Sequence, residues 1–449
     1  MLSAVVKASQ LEGLQRLDAE FYQREYFDLI ARLEKASGTP LGNIAEVKKQ
    51  TFTPNPDKDF DYIEIGGIDP RSGDISPVRV PGSHAPSRAQ WIVHKGEVIV
   101  SMVRPLRNAV GLISDAEHEA VCSSGFTVFR ATAIEPELLF AFLKVPNIAW
   151  LLDRYTTATM YPAVPLDDLL NLPIPKLPAA THKAMIKDVQ AMQQELAKAR
   201  LLYREAQELI LKYTEWKSLS LERSRSWTAT AEESAAAARL DAEHFDPRFG
   251  ELEDHLKKLG AVPLAGLVAQ DIHRGKQPIE SPDGPILVLK SRHVGRRLLD
   301  IENADKAEKL FWKDNPRAQT RFHDVLVNST GLGTIGRVNC VLHRERTVVD
   351  GHIAVVRVDD WKACDPRYLA VYLNSPIGLM QTEHWMSGSS GQIELSTSGI
   401  EKFLILVPDK ARQKRVADRL QGAWEAREAA GELLARAVSR IQSVITGGK

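Results

Sequence analysis

Cysteine is scarce, with Cys122, Cys340 and Cys364 the only three in 449 residues. An odd, widely spaced set without a C-x-x-C pair suits neither a disulfide framework nor a structural zinc site. Reduced thiols fit a cytoplasmic protein. No apolar run reaches the roughly 18 residues that a membrane helix needs, so no membrane partner is expected. The weakly apolar start, Met1 to Gln10, lacks the apolar core of a signal peptide. An excess of either charge is also missing, with 58 basic residues against 58 acidic ones. That excludes a generic polyanion binder, which relies on a strong positive field. It leaves room for a sequence reader whose basic residues sit in a few loops.

Catalytic signatures are absent as well. There is no N/D-P-P-Y/F methyltransferase motif, no G-x-x-x-x-G-K-[ST] phosphate loop and no G-x-S-x-G nucleophile setting. Glu46-Val47-Lys48 has the E-x-K spacing of many metal-dependent nucleases, but the partner acid on a preceding strand is missing. The 12 histidines are scattered, with no H-x-x-x-H pair. Gly331-Leu332-Gly333-Thr334-Ile335-Gly336 is a G-x-G-x-x-G directly after a predicted strand, Asp324 to Asn328, with Asp350 at a plausible distance for a ribose contact. A dinucleotide site requires a helix to open at the last glycine. Arg337 to Leu342 alternates like a strand instead, so the segment is expected to be a glycine-rich hairpin tip. No catalytic, cofactor-binding or metal-binding residue is assigned.

What the chain does contain is itself, twice. Arg16-Leu17-Asp18-Ala19-Glu20 recurs as Arg239-Leu240-Asp241-Ala242-Glu243, offset by 223 residues (239 − 16), and Phe21-Tyr22 is answered by His244-Phe245. Leu41 to Ala45 matches Leu264 to Val268 at the same offset. Gly96 to Ser101 matches His323 to Asn328 at 227 (323 − 96), each an acidic-start apolar run of strand length. Leu139 to Leu143 matches Leu369 to Leu373 at 230 (369 − 139), each a short helical pattern followed by Pro146 or Pro376. Ile174-Pro175 matches Val407-Pro408 at 233 (407 − 174). Each repeat thus predicts an N-terminal helix, several strands, a short helix and a proline-bounded exit strand, an α+β lobe.

A heptad helix is predicted after each exit strand. From Ala179 to about Trp216 the seam is Val189, Met192, Leu196, Ala199, Tyr203, Ala206, Ile210 and Tyr213. From Arg412 to about Ile445 it is Val416, Leu420, Ala423, Arg427, Ala430, Leu434, Ala437, Ile441 and Val444, with Arg427 the polar interruption. Each helix is roughly 50 Å long at 1.5 Å per residue. The expected arrangement packs the two antiparallel as a coiled-coil spacer. The alternative is that each covers only its own lobe, but the small seam alanines favour close helix–helix approach. The expected boundaries are lobe one at 1–178, helix one at 179–220, a linker or short helix at 221–238, lobe two at 239–410 and helix two at 411–449.

Candidate contacts with double-stranded DNA follow from residue chemistry, because Arg reads guanine edges and Lys neutralises phosphate. The densest basic region is His273, Arg274, Lys276 and Gln277 with Lys290, Ser291, Arg292, His293, Arg296 and Arg297. The first repeat offers a thinner set: Lys48, Lys49, Gln50, Arg71, Arg79, His84 and Arg88. The two hairpin tips add Arg104, Arg107 and Asn108 in one lobe, and Asn328, Ser329, Thr330, Thr334 and Arg337 in the other, all expected to reach outward. Hydroxyl-rich segments before the exit strands add Thr157, Thr159 and Tyr161, and Ser389, Ser390 and Gln392. The plain alternative for each is a solvated surface.

In this order, repeated twice, the pieces resemble the DNA-specificity subunit of type I restriction-modification systems over nearly the whole length. The pieces are the Arg16–Tyr22 and Arg239–Phe245 starts, Gly96 to Ser101, Asp324 to Ser329 with Gly333 to Gly336, and Leu172-Pro173-Ile174-Pro175 and Val407-Pro408 leading into the long helices. The resemblance implies two target-recognition domains related by a pseudo-twofold repeat, each reading one half of a split, asymmetric DNA site, with the helices fixing the gap. It implies a non-catalytic subunit that recruits two methyltransferase subunits carrying S-adenosylmethionine. In the full complex it also implies restriction subunits that use ATP and Mg. The rival readings are a two-lobed protein-interaction scaffold, a specificity component of another methylation-based system, and a fused enzyme, against which the missing motifs speak.

Overall fold

The computed structural model describes residues 19–156, 163–223, 226–268, 270–297, 299–358, 361, 363–388 and 393–447. The chain divides into two compact units. Unit 1 comprises 1–197 with 427–449, and unit 2 comprises 198–426. Both cuts fall inside the long helices.

Unit 1 begins with a short 3-10 turn, Ala19–Tyr22, and α1 (Arg24–Lys35). Ten strands follow: β1 (Thr39–Pro40), β2 (Ala45–Lys48), β3 (Asp59–Ile63), β4 (Val78–Pro81), β5 (Ala89–Ile92), β6 (Val98–Ser101), β7 (Val110–Leu112), β8 (Val121–Ser123), β9 (Phe126–Ala131) and, after three helices, β10 (Pro173–Ile174). Those helices are α2 (Pro136–Leu143), α3 (Pro146–Arg154) and α4 (Leu166–Leu170), and α5 (Ala179–Tyr213) follows β10. Two four-stranded sheets form, in the orders β2-β9-β6-β7 and β4-β3-β8-β5, and β1 pairs with β10. Pro136 and Pro146 open α2 and α3, where a missing N–H costs nothing. Ile63, Ile75, Ile99, Cys122 and Val128 fill one core. The other joins α2 and α3 to Met185, Val189, Met192 and Leu196 of α5 and to Ala430, Leu434, Ala437 and Ile441.

Unit 2 contains α6 (Ala231–Ala237), a 3-10 turn at Ala242–Phe245, α7 (Pro247–Lys258), β11 (Val262–Pro263), β12 (His273–Arg274), β13 (Ile286–Leu289), β14 (Asp305–Ala307) and α8 (Lys309–Asp314). It continues through β15 (Val325–Asn328), β16 (Val338–Cys340), β17 (Thr347–Val349), β18 (Ile353–Val356), α9 (Pro366–Leu373), α10 (Pro376–Trp385), β19 (Met386–Ser387), β20 (Glu394–Leu395), α11 (Thr397–Glu401), β21 (Leu404–Ile405) and α12 (Lys410–Thr446). Its sheets run β12-β18-β15-β16 and β14-β13-β17, with β11 on β21 and β19 on β20. Where unit 1 has β5 beside β8, unit 2 has only an isolated bridge between Gln319 and Val348. The second exit strand is Leu404–Ile405, slightly earlier than the expected Val407-Pro408.

An ion pair on a buried carboxylate locks the four-stranded sheet of each unit. Arg130 reaches Glu97 at 2.8 Å in unit 1, and Arg357 reaches Asp324 at 2.7 Å in unit 2. The carboxylate side chains are each 2% exposed. The two pairs occupy the same register, 227 residues apart (324 − 97 and 357 − 130).

The heptad seams are buried in both units, from Val189 to Ile210 on α5 and from Val416 to Ile441 on α12, while Tyr213 and Val444 at the ends are half-buried. In unit 1, Asp188 receives Arg440 at 2.9 Å and Arg436 at 3.6 Å. In unit 2, Glu205 receives Arg419 at 2.9 Å, and a side chain added at Gly422 would meet Leu202 at 3.2 Å, an antiparallel register.

Candidate nucleic-acid interface

The tip between β6 and β7 carries two exposed arginines, Arg104 and Arg107. Arg104 and Asn108 both sit in left-handed backbone, at φ 51° each, and bracket Pro105-Leu106-Arg107. Such a conformation disfavours side-chain-bearing residues by roughly 1 kcal/mol or more, so the surrounding bonds must hold it. Lys144, at the end of α2, does so. Its ammonium donates to the carbonyls of Asn108 at 3.0 Å and Pro70 at 2.5 Å, and the Asn108 amide donates back to its carbonyl at 2.9 Å. Burial lowers the Lys144 pKa to about 8. Asn108 is therefore an anchor of the tip rather than an outward reader, because its amide is committed to Lys144. Arg104, Leu106 and Arg107 remain exposed, and no ion pair engages either arginine among the described residues.

Elsewhere in unit 1, Lys49 and Arg88 are exposed and likewise without an ion pair among the described residues. Lys48 pairs with Glu46 at 2.8 Å, and Arg79 with Asp61 at 3.4 Å. Gln50 bonds His94, and His84 bonds Ser83. Arg71 points at α12, where it meets Glu428 at 2.7 Å, so its guanidinium braces the fold.

In unit 2 the basic loop is nailed down from below. The Asn328 amide donates to the carbonyls of Ser291 and Val294, Asn339 to Gly295, and Asn374 and the Tyr203 hydroxyl both to Arg296, at 2.8 to 3.2 Å. Asn374 also caps Val338 N–H and C=O, which ties α9 to the β15–β16 hairpin. His293 is 1% exposed, and its Nδ1 accepts from the Lys290 N–H at 2.9 Å. Burial, aided by Arg292, lowers its pKa to about 4.

Several expected readers in this unit are structural. Asn328 and Ser329 are each 0% exposed, which corrects the expectation that they reach outward from the tip. Asn328 is the last residue of β15 and pairs with Ile353 inside the sheet, and the Ser329 hydroxyl donates to the His352 carbonyl. His273 is buried against the Arg317 carbonyl, and His293 lies under its own loop. Three cations of the densest basic region are also neutralised within the unit. Lys290 pairs with Glu280 and Asp305, Arg292 with Asp305 at 2.5 Å, and Arg274 with Glu394 at 2.6 Å. Arg296 and Arg297 are half-buried, and Lys276 and Gln277 are exposed. At the tip, Thr330 bonds His352, Thr334 bonds the Thr330 carbonyl, and Arg337 donates to the Gly333 carbonyl at 2.8 Å.

The tip and the segment before the exit strand are neighbours in each unit. Thr330 bridges Glu394 and Leu395 N–H bonds Ser329, while Arg274 donates to the Leu395 carbonyl. In unit 1, Val103 bridges Ala163. The candidates Thr157, Thr159, Tyr161, Ser389, Ser390 and Gln392 lie outside the described residues. Sequence reasoning missed the anchors Lys144 and Asn374. A signal was available, since each stands two residues before a helix-opening proline and they are 230 residues apart (374 − 144).

No family model and no curated protein sequence matches the chain. Solved structures do. This chain is similar to specificity subunits of type I restriction-modification systems. The HsdS subunit from Thermoanaerobacter tengcongensis is 21% identical, with a TM-score of 0.34, over 92% of this chain and 96% of that one. The type I S subunit from M. genitalium is 12% identical, with a TM-score of 0.35, over 91% and 94%. A chain from a structure concerned with complex assembly and conformational transition of the type I R-M system is 21% identical, with a TM-score of 0.33, over 91% and 96%.

Proposed function

We propose that this protein is the DNA-specificity subunit of a type I restriction-modification system. The observation that carries the reading is the tandem repeat. The same strand order, the same buried acid–arginine lock and the same anchored hairpin tip occur once per unit. A ligand with two comparable but unequal halves suits such a molecule, and a split duplex site is one. In this reading residues 1–178 and 239–410 are the two target-recognition domains. Helices 179–220 and 411–449 are a coiled-coil ruler, and 221–238 joins them. The chain is a non-catalytic cytoplasmic subunit. It positions two methyltransferase subunits that bind S-adenosylmethionine, and restriction subunits that use ATP and Mg.

The leading candidate readers are Lys49, Arg88, Arg104 and Arg107 in unit 1, and Lys276, Gln277, Arg296, Arg297 and Arg337 in unit 2; Arg79 and Arg292 are also exposed but already face Asp61 and Asp305. The test is the gap. One heptad inserted into each long helix adds about 10 Å, close to three base pairs. Mapping methylated adenines in cells carrying this variant with its methyltransferase should show the same half-sites at a longer spacing. Unchanged spacing rejects the ruler, and absence of salt-sensitive DNA binding by the complex rejects the reading as a whole.

A further inference from the structure

Leu106 and Leu332 are large apolar side chains left in water, at 59% and 73% exposure. A single exposed leucine is ordinary on a protein surface. Three observations separate this pair from the background. Each sits mid-way along the tip of the corresponding hairpin, between β6 and β7 or between β15 and β16. Each is bracketed by left-handed backbone, at Arg104 and Asn108 (φ 51° each) in one tip and at Gly331 and Gly333 (φ 96° and 82°) in the other. Each has arginine beside it: Arg104 and Arg107 around Leu106, and Arg337, folded back onto the Gly333 carbonyl, beside Leu332. The sequences of the two tips differ almost throughout, yet both present one leucine on a turn that carries arginine. Lys144 and Asn374 fix the bases of the two turns, so the side chain is held out rather than free to fold back.

Resting on the DNA-reading proposal, we infer that Leu106 and Leu332 are wedges that enter the minor groove and insert between stacked base pairs, one in each half-site. Leucine is among the side chains that proteins use to unstack a base step and kink the duplex. A narrow minor groove concentrates negative potential that attracts arginine, so the flanking cations steer the apolar group into place. The kink adds shape-dependent specificity at steps the protein does not read by hydrogen bonds. It also gives each solvent-exposed leucine a role at its tip.

The experiment uses the full chain in complex with its methyltransferase subunits. The probe is a duplex carrying the target found by methylated-adenine mapping, with 2-aminopurine placed at one position at a time. The methylated adenines themselves are left out, because their extrusion by the methyltransferase brightens the probe by itself. The wild-type complex should brighten one step in each half-site. Leu106→Ala should abolish the signal in one half-site and Leu332→Ala in the other. Each should weaken binding by about tenfold, the scale of burying one leucine side chain, and leave the slope of affinity against salt unchanged. Leu106→Met and Leu332→Met should restore most of the signal.

Specific binding by the wild type with no brightened step overturns the wedges and leaves the specificity-subunit reading standing. So do variants that retain both signals. Variants that lose methyltransferase association while keeping the DNA signal also overturn the inference, because the leucines would then be a protein contact. If the wild-type complex binds no duplex in a sequence-dependent, salt-sensitive way, both the wedges and the reading beneath them fall.

Discussion

Arg427 is the charged residue in an otherwise apolar heptad seam, and its removal is the sharpest test of how unit 1 is held together. Its guanidinium is buried, at 8% exposure, and faces Asp74 at 2.9 Å and Asp69 at 3.4 Å, carboxylates exposed by 1% and 9%. Asp69 is the hub of a tight turn. It accepts from the Arg71 N–H and the Ser72 hydroxyl, and its own N–H donates to the Asp74 carbonyl. Arg71 in turn meets Glu428 at 2.7 Å. Turn 69–74 is thus clamped to α12 by two arginines facing opposite ways. Arg427→Leu keeps the seam apolar but strands two buried carboxylates, which should cost about 3–5 kcal/mol. The Arg427 Nε is buried and has no hydrogen-bond partner among the described residues, so the wild-type pair already carries a desolvation penalty and the lower end of that range is expected. Asp74→Asn removes one stranded charge, so the double variant should be less destabilised than the two single losses added together, with a coupling of about 2 kcal/mol. Urea denaturation of the four proteins measures this, and hydrogen exchange over residues 69–74 locates it. A loss below about 1 kcal/mol for Arg427→Leu, or additive single effects, would refute the argument that this buried charge is held by Asp69 and Asp74.

Three further outcomes are expected. His293 has a folded pKa of about 4 against an ordinary 6.5, so between these values the unfolded chain binds more protons. Stability of unit 2 should therefore be lost as pH falls from about 6.5 toward 4, by at most about 3 kcal/mol; a His293→Asn variant should show a flatter melting profile over that window, and an equally steep one would sink the assignment. Gly336 has φ 73°, and a Cβ there would lie 2.6 Å from Thr382 Cγ2 on α10, so Gly336→Ala should destabilise unit 2 by about 1–3 kcal/mol in a thermal melt, and an unchanged melt would show that the tip shifts freely. Arg104→Ala and Arg107→Ala should each weaken binding across sequences and lower the salt slope by about one; a slope equal to wild type would mean that these side chains touch no phosphate.

Much of the architecture was legible because repeats and heptads are periodic and need no tertiary knowledge. The seam from Val189 to Ile210, the strand at Val98–Ser101 and its match at Val325–Asn328, and the helices ahead of Pro146 and Pro376 all occur as expected. The glycine triplet forms a hairpin tip, as the alternation after it predicts, since β16 follows and pairs with β15. The site was much less legible. Lys290, Arg292 and Arg274 looked like the richest DNA-facing set, yet they meet Glu280, Asp305 and Glu394, residues 10 to 120 positions away in the chain. Asn328 and Ser329 were read as tip residues and turn out to be buried, with Asn328 holding up the loop that carries Arg292.

The linear pattern alone therefore determined where the elements lie and that they come in two sets, because hydrophobic period and chain order are local properties. Only the folded chain decided which cations stay available. Whether an arginine faces solvent or a carboxylate depends on partners brought together across the sheets, and hydrogen bonds such as those from Lys144 and Asn374 exist only after distant segments have been packed against one another.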